Sequence, residues 1–120
     1  MTVYYFLLCA AVFLLNMVQF FLLLKCAGIA EPVGGVYSAF LTSISMIIIV
    51  FIPAAPSNIG VIHYGLYSLL VLVATQCKVT PSAMDLQSYA RFGVYVHLSF
   101  IVPELLIGAL FVAKERKFIF

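Results

Sequence analysis

The chain has 120 residues, of which 66% are hydrophobic and 8% charged, and its formal net charge is +2 at pH 7. Soluble domains carry roughly 25% charged residues, so a mean hydropathy of +1.24 excludes a water-exposed surface. The small positive charge, gathered at the C-terminus, excludes nucleic acid as a partner. The length allows about four membrane crossings at roughly 20 residues each. The expectation is an all-α, polytopic membrane helix bundle, one domain over 1–120, multi-pass in the cell membrane.

Segment A, about 3–24, is long enough to span: its residues rise about 33 Å at roughly 1.5 Å each. Tyr4 and Tyr5 suit one interface and Lys25 marks the other. The segment lacks a basic n-region, and its apolar run is too long for a cleaved signal peptide. Asn16 and Gln19 lie three apart and share a face, where polar amides in lipid hydrogen-bond a neighbouring helix. Lys25 to Gly35 then reads as a connection, broken by Gly28, Pro32, Gly34 and Gly35.

No Lys, Arg, Asp or Glu lies between Pro32 and Cys77. Segments B (about 37–52) and C (about 60–76) fill that charge-free stretch, and each is short of a hydrocarbon core of about 30 Å. Between them Pro53, Pro56, Ser57, Asn58 and Gly60 interrupt the apolar run. The pair reads as a re-entrant hairpin, as discontinuous helices, or as two short spanning helices with a tight loop. Cys77 to Arg91 is expected as a polar connection, with Thr80 as N-cap and Pro81 in the first turn of a helix that starts in the interface. Segment D, about 92–113, spans again. A basic tail, 114–120, follows, with Phe118 to Phe120 able to fold back onto the interface. The positive-inside rule leaves orientation open: Lys25, Lys78 and Arg91 balance Lys114, Arg116 and Lys117.

Two stretches carry chemistry. At the bend, Ser57 or Asn58 is placed to cap segment C, leaving backbone N–H groups and a helix dipole to receive an anion. Gly60 lets a phosphate approach the backbone. The alternative is purely structural, with prolines turning the chain and glycines allowing close packing. On segment D, Glu104 sits at mid-depth, where a carboxylate should face the bundle interior with a partner. His97 shares its face seven residues earlier, Pro103 frees the Ser99 carbonyl, and His63 with Tyr67 could complete a polar cluster. The cluster reads as a proton relay through His97 and Glu104, or as a hydrogen bond from Glu104 to His97 or Asn16 that only holds helices together. Cys9, Cys26 and Cys77 have no metal spacing, and no metal, cofactor or catalytic residue is expected.

Pro53-Ala-Ala-Pro56-Ser-Asn-Ile-Gly60-Val-Ile-His63 resembles the P-x-x-P-G-G-x-G-x-x-E signature of the lysylphosphatidylglycerol synthase transmembrane, or flippase-like, family. The matching order of Leu24 to Gly28, Tyr89 to Arg91 and Pro103 to Gly108 extends the likeness over most of the chain, as the C-terminal half of that family's domain. Ser57 and Asn58 replace the paired glycines, and His63 replaces the acidic residue. The resemblance implies handling or translocation of an anionic or aminoacylated phospholipid or a polyprenyl lipid, without a soluble transferase domain, and so not an enzyme. Pro53, Pro56, Ser57, Asn58, Gly60 and His63 would bind the lipid phosphate, with Arg91 or Lys78 attracting the headgroup. Expected partners are membrane lipids and a second copy or a complementary membrane chain. Two rival functions stand beside this one: a non-transporting membrane partner or half of a lipid-modifying or glycosyltransferase-associated protein, and a small four-helix proton-coupled exporter.

Overall fold

The computed structural model describes residues 1–51 and 60–119 and is all-α. Four helices follow in order: α1 Thr2–Cys26, α2 Val36–Val50, α3 Val61–Gln76 and α4 Ala83–Ile119. Two of them, Thr2–Cys26 and Ala83–Arg116, are apolar and long enough to cross a membrane. At about 1.5 Å per residue α1 rises about 37 Å and α4 about 55 Å, whereas α2 and α3 rise only about 22 and 24 Å.

The breaks fall where the sequence supplies breakers. After α1, Gly28 takes φ +80°, and its N–H donates to the Lys25 carbonyl at 3.0 Å. A Cβ on Gly34 would collide with the Ile29 carbonyl, so this connection folds tightly on itself. Lys25 and Glu31 meet at 3.5 Å on its surface. The α3–α4 connection holds Lys78 at φ +57°.

Segment D differs from expectation in both directions. The helix starts at Ala83, so most of the stretch leading to Arg91 is helical, and it continues through the basic tail to Ile119 instead of folding back. Thr80 is not the cap. The Ser82 N–H donates to Asp85 Oδ2 at 2.8 Å and the Asp85 N–H donates to Ser82 Oγ at 3.2 Å. That reciprocal pair is a capping box, and it places Pro81 outside the helix. The acidic Asp85 also complements the positive helix end.

The core lies at one end of the bundle. Phe20 and Leu24 of α1, Leu66, Leu70 and Val73 of α3, and Phe92 and Val96 of α4 are fully enclosed. On α2, Thr42 Oγ1 donates to the Ser38 carbonyl at 2.7 Å and Ser43 Oγ to the Ala39 carbonyl at 2.9 Å. The hydroxyls are thereby satisfied within their own helix. Tyr37 at the start of α2 reaches Gln76 at the end of α3, 3.5 Å away. The two short helices thus begin and end at the same level, as a hairpin.

The two short helices stop partway up their neighbours. Ile47, near the end of α2, and Ile62, at the start of α3, border one cavity with Asn16 and Phe20 of α1 and with His97 to Glu104 of α4. These are mid-helix positions on both long helices. Beyond them no residue of α1 before Phe20 is buried, and α4 from Val102 through Arg116 is exposed. The result is two apolar arms that extend beyond α2 and α3, bearing exposed Phe6, Leu14, Leu105, Leu110 and Phe111.

Candidate functional site

The site forms where the hairpin ends against the long helices. Gly60 occupies the N-cap position of α3 at φ +86°, ψ −46°, a backbone that a side chain rarely adopts. The cap therefore falls on a residue without a side chain, after Ser57 and Asn58, and among the described residues no side chain bonds the helix end. The first intrahelical bond runs from the Tyr64 N–H to the Gly60 carbonyl at 2.8 Å. Val61, Ile62 and His63 consequently begin the helix with N–H groups that have no partner within it. Pro53, Pro56, Ser57 and Asn58 themselves lie outside the described residues.

One turn into α3, His63 meets α4. His63 Nε2 and His97 Nδ1 are 2.8 Å apart, with ring centroids 4.8 Å apart and planes inclined at 66°. A glycine makes this contact possible. A Cβ on Gly93, one turn before His97, would stand 3.3 Å from the His63 Cα and 3.4 Å from its carbonyl oxygen. Bare backbone at Gly93 lets the two helices approach closely, and the imidazoles span the remaining gap.

His97 is only 6% exposed, and its Nε2 is buried without a hydrogen-bond partner among the described residues. A buried, unpartnered polar atom costs about 1–3 kcal/mol, less if it is a bare acceptor than an idle N–H. The economical tautomer thus has His97 Nδ1–H donating to His63 Nε2, which leaves His97 Nε2 as a lone-pair acceptor.

Two cavities adjoin the pair. The first, about 350 Å³, is bordered by His97, Asn16, Ser43 and Glu104 among apolar side chains such as Phe20 and Ile101. The second, also about 350 Å³, is bordered by His63, Gly60, Tyr64 and Tyr67. The sequence-predicted residues are therefore divided between them. His97 and Glu104 share the first, as their spacing required. Glu104, however, is exposed and makes no hydrogen bond to His97 or Asn16 among the described residues. Glu104 lies instead on the open rim of the cavity, at the level where α2 and α3 end. Gln19 likewise makes no interhelical bond among the described residues. Arg91 is exposed and borders neither cavity.

Sequence reasoning missed Ser43 and Gly93. Gly93 had a readable signal, being a glycine four residues before a histidine on one helical face. Among the described residues no three His, Cys, Asp or Glu side chains cluster as metal ligands would. Comparison with protein-family models, with characterised proteins and with solved structures gives no match.

Proposed function

We propose that the chain is an integral membrane protein that handles or translocates an anionic or aminoacylated phospholipid or a polyprenyl lipid. One observation carries this reading: the two short helices α2 and α3 end midway along two longer apolar helices, and the amino end of α3, uncapped by any described side chain, adjoins a cavity of mixed polarity there. Placed in a bilayer, such an end directs N–H groups without a partner in the helix and a positive dipole at mid-depth, as broken-helix transporters do toward anionic substrate groups. The cavity pairs Asn16, Ser43 and His97 with apolar walls, a lining suited to an amphiphile. The likeness of Pro53 to His63 to the flippase-like signature points to the same cargo.

A second feature bears on how the chain would work. The arms of α1 and α4 expose long apolar faces, and Gly108, Ala109 and Ala113 form a small-residue seam on α4 of the kind that packs helices in lipid. A second copy or a complementary membrane chain would complete the bundle.

The test is transfer of labelled anionic lipid between leaflets of vesicles carrying the protein. Gly60→Leu fills the approach to the helix end and forces a side chain into positive φ. It should abolish transfer while the protein still floats with the vesicles. Undiminished transfer by this variant would remove the helix end from the mechanism.

A further inference from the structure

The two histidines do more than join helices: we propose that they form a one-proton relay connecting the two cavities on either side of the α3–α4 contact. The proposal rests on the membrane placement above but not on lipid as the cargo.

Three observations lead to it. The two imidazole nitrogens stand 2.8 Å apart, a separation that one shared proton bridges. Each ring borders a different cavity, His97 the one with Asn16 and Glu104, His63 the one with Gly60 and Tyr67. The outer nitrogen of His97 is buried and has no partner among the described residues, so it stands ready to accept a proton. No lysine or arginine borders either cavity among the described residues, so no fixed cation opposes the entry of a proton. Each cavity has room for several waters at about 30 Å³ apiece, enough to link Glu104 to the rim of His97.

The transfer balances without any co-reactant. A proton from the Glu104 side bonds to the His97 Nε2 lone pair and makes that ring an imidazolium. Its Nδ1 proton passes to His63 Nε2, and His63 releases its own Nδ1 proton toward the cavity bordered by Tyr64 and Tyr67. One proton enters and one leaves, and both rings finish as the opposite neutral tautomer. The hydrogen bond survives with its direction reversed, His63 Nε2–H now donating to His97 Nδ1. A second proton cannot follow the first until the rings turn over or the α3–α4 contact opens. The pair therefore passes one proton per conformational cycle, the stoichiometry a coupled transporter needs.

Two measurements test it. Vesicles bearing the whole chain, loaded with a pH-sensitive dye and driven by a potassium diffusion potential, should show proton flux above that of protein-free vesicles. His63→Gln and His97→Gln should each remove that excess, and Glu104→Gln should slow it. Because either histidine variant could misfold, nitrogen NMR of the wild-type protein labelled at histidine supplies an independent check. It should show one imidazole with a protonated Nδ1 and a bare Nε2, coupled through the shared hydrogen to the other ring. Wild-type flux no greater than that of empty vesicles, or two uncoupled rings, overturns the relay. Resistance to carbonate extraction is scored on the same samples: a protein stripped off by carbonate overturns the membrane reading as well, whereas an embedded protein without flux overturns the relay alone.

Discussion

Gly93 and Gly60 show how much a missing side chain accomplishes here, in two different ways. At Gly93 the constraint is space, since a Cβ would press on the backbone of His63. At Gly60 no described residue lies within 4 Å of the Cβ position, and the constraint that shows is the positive φ. Holding a side chain in such a region costs on the order of 1–3 kcal/mol. Overpacking a helix contact costs about the same. Gly93→Val should therefore lower stability in detergent by about 1–3 kcal/mol, while Gly108→Val, where a Cβ meets open space, should change it by less than about 0.5 kcal/mol. Equal melting temperatures for the two variants would show that the α3–α4 approach does not depend on Gly93. At this scale the sequence was partly legible. The spacing of His97 and Glu104 placed both on one cavity, but spacing within one helix carries no information about its neighbour. The direct contact of His63 with His97 depends on the crossing of α3 and α4.

The elements follow from local signals wherever those signals are strong. Four apolar runs became four helices, and the glycine-rich connection after α1 and the short lengths of α2 and α3 were readable from breakers and charge-free sequence. The α4 boundaries were not. Lys78, Asp85 and Arg91 read as a solvated connection, yet an exposed helix face carries charged residues equally well, and nothing in Ala83 to Phe92 breaks a helix. The start was set by Ser82 and Asp85, not by Thr80 and Pro81, because the capping box satisfies two N–H groups reciprocally. Ser82→Ala should cost about 1 kcal/mol, read as a lower melting temperature together with faster hydrogen exchange confined to the first turn of α4. Exchange rates that stay unchanged from Ala83 to Leu86 would mean the box does not hold that end.

At the scale of the whole molecule, the governing feature is the mismatch in length between the hairpin and the helices it packs on. It gathers the buried core at the end that carries Lys25, Glu31, Tyr37 and Gln76, leaves Glu104 on an open rim, and exposes two apolar arms. Composition alone foretold an apolar helical chain of this size. It gave no measure of where the hairpin would stop, because that level is fixed by contacts between segments far apart in sequence. The most direct test is the depth of a spin label placed at Val61 in a cysteine-free background, compared in bilayers with labels at the native Cys9 and Cys26 positions. The Val61 label should lie near the bilayer centre, accessible to oxygen and shielded from water-soluble relaxants, while the Cys26 label lies at the aqueous edge. A Val61 label as open to water-soluble relaxant as the Cys26 label would contradict this placement.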